Sequence, residues 1–133
     1  MNMMTIEEHI AYWIEGSERD LKSAESNFQS GNYDWCLFIG HLVLEKMLKA
    51  LYVKNIKGKT PPRIHNLIRL SSLAKIELNP EVKSFFDEVN DFHLETRYPD
   101  YKKEFYKMAN NEFTKMKFNK IKEYYLWLRS LMK

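Results

Sequence analysis

The sequence predicts an all-α, single-domain fold over residues 1–133, on three observations. Apolar residues recur three and four positions apart through most of the chain, the period of a helix with a buried face. No segment alternates at period two for long enough to be a strand. The 133 residues include four Gly and four Pro, few for an all-β chain rich in turns and enough for short links between helices. The chain is long enough to bury a substantial core. Its hydrophobic share of 44% and aromatic share of 14% argue against disorder.

The first helix is expected from Thr5 to about Ser30. Thr5 and Glu8 form a capping box, in which each side chain takes up a backbone N–H left unpaired at the helix start. Ile10, Ile14, Ser17, Leu21, Ala24 and Phe28 then alternate four and three apart as a bundle seam. Gly31 ends this helix and Asn32 starts the next, a turn so short that the two helices run antiparallel. The second helix, Asn32 to Ile56, is the centre of the chain, with Asn32 expected as its cap. Cys36, Ile39, Val43, Met47 and Ala50 make one apolar row, and Leu37, Leu44, Leu48 and Leu51 make another beside it. Together they cover more of the circumference than the stripe of a surface helix. One polar line remains: His41, Glu45 and Lys49, at four-residue steps. Polar groups on a buried helix need partners, so this line is the first candidate for function.

Gly58, Pro61 and Pro62 cannot continue a helix. A shorter helix begins at His65 or Asn66 and runs to about Glu77, with Leu67, Leu70 and either Leu73 or Ala74 inward. Asn79–Pro80 is a cap followed by proline at the first helical position. It starts a helix to about Glu95 that buries Val82, Phe85, Phe86, Val89 and Phe92. Pro99 drives Tyr98 out of the helical region, which puts Arg97 and Tyr98 at a helix end or in a tight loop. A short helical piece over Lys102–Ala109 and a break at Asn110–Asn111 precede the last helix. That helix runs from about Glu112 to Leu131, with Phe118, Ile121, Tyr125, Leu128 and Met132 in register.

The net charge of +3 is unevenly spread: −5 over residues 1–34, +3 over 35–99 and +5 over 100–133. Either this asymmetry steers an anionic partner to the C-terminal third, or the charges are solvated helix faces. The same choice holds for the loop carrying Lys54, Lys57, Lys59 and Arg63, which either meets a phosphate backbone or is an ordinary exposed loop. Cys36 is the only cysteine, so no internal disulfide forms. On the apolar face of the central helix it reads as a small buried hydrophobe, which suits a reducing cytoplasm. The acidic start, MNMMTIEEHIAYW, is not a signal peptide, and no apolar run approaches the ~18 residues of a membrane span. A cytoplasmic location is therefore expected, with no membrane partner. Four histidines scattered along the chain and one cysteine suggest no metal site. Without a Walker-type loop or a GxGxxG turn, no cofactor is expected.

Three motifs resemble a known family: Leu44-Glu45-Lys46-Met47-Leu48-Lys49-Ala50-Leu51 in the central helix, Pro62-Arg63-Ile64-His65-Asn66-Leu67 after it, and Arg97-Tyr98-Pro99-Asp100 after the fourth helix. In this order they resemble the HEPN domain, the "higher eukaryotes and prokaryotes nucleotide-binding" family, over nearly the whole chain. The resemblance implies an up-and-down antiparallel bundle of four to five helices, often a homodimer. It also implies pairing with a separate minimal nucleotidyltransferase, in arrangements likened to toxin–antitoxin modules. Many members resemble metal-independent ribonucleases carrying Arg, four to six residues, then His. Here no histidine follows Arg97, and His93 precedes it. The chain therefore resembles the non-nuclease branch, and no catalytic residue is assigned.

Arg97 is the leading ligand-binding candidate, because a guanidinium presents a planar donor fork to phosphate or carboxylate. With Tyr98, Asp100 and Tyr101 beside it, it either holds a phosphate while a ring stacks on a base or pairs internally with Glu45 or Asp100. His41, Glu45 and Lys49 either line a cleft facing Arg97 or form a structural cluster within the bundle. His65 either joins them or caps the helix it precedes. Three functions follow: a non-catalytic module for a nucleotide or a nucleotidyltransferase, an RNA endonuclease whose imidazole comes from His41, His65 or His93, and a scaffold whose polar line only fixes helix register.

Overall fold

The antiparallel pair α1 and α2 is the frame of the molecule. In the computed structural model, which describes residues 4–93 and 99–133 with backbone alone at 99–102, α1 spans Ile6–Gln29 and α2 spans Tyr33–Asn55. Next come α3 (Leu67–Leu73), α4 (Pro80–Asn90), α5 (Pro99–Met108) and α6 (Asn111–Ser130). The described residues form six helices and no strand, folded as an up-and-down helical bundle. The piece expected from Lys102 is a helix of its own, α5, that begins at Pro99. Proline at a first helical position forfeits no intrahelical hydrogen bond, so the helix can start there.

The local signals act as their chemistry requires, with one exception. Thr5 N–H donates to Glu8 Oε1 at 3.1 Å and Glu8 N–H to Thr5 Oγ1 at 3.0 Å, closing the capping box. Gly31 turns the chain at φ 79°, where a side chain would be strained. Asn32 makes no side-chain cap bond, contrary to expectation. Its φ −88°, ψ 70° falls short of the extended backbone that aims a cap oxygen at first-turn N–H groups. Asn79 and Asn110 do cap, accepting from Val82 N–H and Phe113 N–H at 2.9 Å each.

Two helices are shorter than expected. α3 stops at Leu73, and Lys75 turns out of the helix at φ 61°. Ala74 is buried and Leu73 exposed. α4 stops at Asn90, whose side chain is pinned to the start of α3: Leu67 N–H donates to Asn90 Oδ1 at 2.8 Å. That bond brings the end of α4 to the loop before α3.

The buried surface of α2 reaches almost around its circumference, so the helix is central as its two apolar rows imply. Leu37, Leu44, Leu48, Leu51, Cys36, Val43, Met47 and Ala50 are all fully buried. α1 covers one side, where the Ser17 hydroxyl donates to the Val43 carbonyl at 2.8 Å. α6 covers another at Gly40, where an added Cβ would lie 2.8 Å from Ile121 Cδ1. Phe86, Phe92, Phe105 and Phe118 fill the remaining core. Burial pushes the Cys36 thiol up to about 12, so it stays a protonated, inert group. No helix among the described residues is long and apolar enough to cross a membrane.

Candidate functional site

The polar line of α2 is the floor of a histidine cluster. Glu45 is 4% exposed and Lys49 7%, and the Lys49 ammonium donates to Glu45 Oε2 at 3.0 Å. One turn apart with the acid first, they are well placed to pair. Burial pushes the Glu45 carboxyl up, but Lys49, His41 and His65 together hold it below its ordinary value. Glu45 is thus a buried carboxylate with its charge intact.

The other carboxylate oxygen faces imidazoles. His65 Nδ1–H donates to Glu45 Oε1 at 3.0 Å; a carboxylate only accepts, so that nitrogen carries the proton. His65 therefore leaves the capping of α3 to Asn66, whose side chain accepts from Ile68 and Arg69 N–H at 3.0 and 3.1 Å. His41 is fully buried. Its Nε2–H donates to the His65 carbonyl at 2.8 Å, which fixes the tautomer and leaves a lone pair on Nδ1. That Nδ1 lies 3.6 Å from Glu45 Oε1, too long for a hydrogen bond, and has no hydrogen-bond partner. Burial pushes His41 down to about 4 against the pull of Glu45, so it is a neutral imidazole near pH 7.

His93 closes the cluster from the end of α4. Its ring stacks on His65 at 4.2 Å between centroids, meets His41 edge-on at 4.9 Å, and meets Phe38 edge-on at 5.4 Å. His65, Asn66, Asn90 and His93 line a notch of about 80 Å³. The four histidines are scattered in sequence, yet the fold gathers three of them around one carboxylate. In the sequence, His93 is a candidate only as a displaced imidazole for the endonuclease reading, since it precedes Arg97. No local pattern ties it to residues 52 positions away, although the unpartnered polar line of α2 implies groups from elsewhere.

The structure thus joins His41, Glu45, Lys49 and His65. Arg97 and Tyr98 lie outside the described residues. At Asp100 and Tyr101 only the backbone is described, within α5. The expected cleft between Glu45 and Arg97 therefore also lies outside the described residues.

Similar structures have the same architecture. The chain is similar to TT1696 from Thermus thermophilus, with a TM-score of 0.74 at 15% identity, covering 92% of this chain and 97% of that one. It is also similar to ST0689, an archaeal HEPN homologue, with a TM-score of 0.72 at 22% identity, covering 98% and 100%. No curated protein sequence matches. The family model of the HEPN domain matches residues 10–130, nearly the whole chain, and the chain belongs to the HEPN domain family.

Proposed function

We propose that this chain is a non-catalytic HEPN module that takes a phosphate group of a nucleotide at the notch between His65, Asn66, Asn90 and His93. The observation that carries this reading is the pair of stacked imidazoles on the notch wall, flanked by two carboxamides. The carboxamides of Asn66 and Asn90 and the ring of His93 are of types that carry an N–H for a phosphate oxygen, whereas the N–H of His65 is committed to Glu45. A notch of about 80 Å³ suits a phosphate or part of a base rather than a whole nucleotide. Glu45 and Lys49 act beneath it: they satisfy each other, and Glu45 orients His65. Arg97, four positions after His93 in the sequence, is also assigned a part in binding that phosphate. The module works as a homodimer, and its partner is a minimal nucleotidyltransferase in a toxin–antitoxin-like pair.

Calorimetric titration with AMP, ATP and GTP, in the presence of chelator, tests the binding half. Saturable heat is expected for the wild type and a loss of affinity in Arg97→Ala. Absence of heat with every nucleotide removes this reading and leaves the scaffold.

A metal-independent RNA endonuclease is the second reading, and the Glu45–His65 contact of 3.0 Å favours it. A carboxylate that orients an imidazole is a common way to build a general base. Single-stranded RNA cut by the wild type but not by His65→Ala would establish it. RNA left intact supports the binding module.

A further inference from the structure

The geometry points to a site for one borderline transition cation, of the Zn²⁺ or Co²⁺ kind, held by His41 Nδ1, Glu45 Oε1 and one ring nitrogen of His93. Each of these residues offers a ligand atom, and the three atoms lie within 4.8 Å of one another. Ligands bound at about 2.0–2.2 Å in a tetrahedral shell sit roughly 3.4 Å apart, so the cluster needs only a modest contraction. All three residues are buried: His41 and Glu45 lie one turn apart on α2, and His93 lies three residues beyond the end of α4.

His41 carries the argument. Its Nε2–H is bonded to the His65 carbonyl, the outer contact that orients metal-ligating histidines. Its Nδ1 lone pair is buried without a hydrogen-bond partner, 3.6 Å from a carboxylate oxygen. A lone pair facing an anion is repulsive, and a cation between them makes the arrangement favourable. Glu45 is braced as ligating carboxylates are, by His65 Nδ1–H and the Lys49 ammonium. Lys49 already offsets the Glu45 charge, which disfavours hard cations that need several oxygen ligands, such as Ca²⁺ and Mg²⁺. Two imidazoles favour the Zn²⁺–Co²⁺ class instead. Because His93 belongs to both the cluster and the notch wall, the notch gives the ion an entry path.

The inference goes beyond the nucleotide reading, and its test contains no nucleotide. Untagged, chelator-stripped protein is titrated with Co²⁺, followed by visible absorption, and the bound Co²⁺ is then displaced with Zn²⁺. One equivalent per chain is expected, with the ligand-field bands of a nitrogen–oxygen site and a melting temperature that rises with Zn²⁺ concentration. His93→Ala, with its fold verified by circular dichroism, is expected to bind at least about tenfold more weakly. His41→Gln is expected to abolish the bands, and if it fails to fold, His93→Ala decides alone. His9→Ala, which removes none of the three ligands, binds as the wild type does. The proposal is overturned by the absence of saturable binding at one equivalent, or by His93→Ala binding Co²⁺ with wild-type affinity and spectrum.

Discussion

Replacing Glu45 with Gln keeps the shape of the side chain and one acceptor for His65, but removes its charge. The Lys49 ammonium, 7% exposed and 3.0 Å from Glu45 Oε2, then has no counter-ion among the described residues. At an effective dielectric constant of about 20, two charges 3.0 Å apart attract by roughly 5 kcal/mol. Desolvation has already consumed much of that gain, and breaking a buried pair by removing one partner typically costs about 3–5 kcal/mol. Lys49 can swing partly toward solvent along the Trp13 ring, 5.3 Å from its ammonium, which sets the expected loss near the lower end, about 3 kcal/mol. Lys49→Met in the same background removes the stranded charge, so the double variant should be more stable than Glu45→Gln alone. Urea denaturation followed by circular dichroism at pH 7.5 with chelator measures all four corners of the cycle. If Glu45→Gln lies within about 0.5 kcal/mol of the wild type, the pair is hydrated in solution and the buried cluster fails as a description. It fails equally if Lys49→Met adds its own loss instead of relieving the first.

Three other measurements probe the same framework. Gly40→Ala should destabilise despite its gain in helix propensity of about 1 kcal/mol: the new Cβ meets Ile121 Cδ1 at 2.8 Å, and Ile121 is fully buried. Ile121→Val, which alone costs about 0.5–1.5 kcal/mol, should stabilise the Gly40→Ala protein, and additive losses in denaturation would refute the close approach. Acid should weaken the fold through His41, whose value of about 4 in the folded chain lies below its ordinary 6.5. Between those values the unfolded chain binds the proton and the folded one does not, so this contribution is complete above pH 6.5, shrinks as pH falls and is gone below about 4. The fall from 6.5 to about 4 corresponds to about 3 kcal/mol. Denaturation midpoints from pH 7.5 to 4 read it, and His41→Gln should flatten the slope above the range where Glu45 titrates. Asn66→Ala should cost about 1 kcal/mol by removing the acceptor for Ile68 and Arg69 N–H. In hydrogen exchange, protection should fall first in α3, and a loss confined to α1 would contradict the assignment.

The legible parts of the fold are those written in neighbouring residues. Thr5 with Glu8, Asn79 with Pro80, and the two apolar rows of α2 each specify local geometry that tertiary packing then reinforces. Helix ends are less legible where a long-range partner decides them. α4 stops where Asn90 bonds to the start of α3, and nothing near Asn90 announces that bond. Asn32 reads as a cap by residue type but is denied the role by its backbone angles. In the candidate site, the spacing of His41, Glu45 and Lys49 exposes three of the five cluster residues, because one helix carries them all. His65 and His93 arrive from separate segments, and their meeting is a product of topology that spacing along the chain does not encode.

The solitary thiol of Cys36 gives the molecule a built-in reporter. Sealed in the core of α2 and held protonated, it reacts with an alkylating reagent only while the bundle is open. The rate of labelling in native buffer therefore times the excursions of the central helix from its neighbours. Mass spectrometry can follow that clock without denaturant, and any ligand that closes the bundle would slow it.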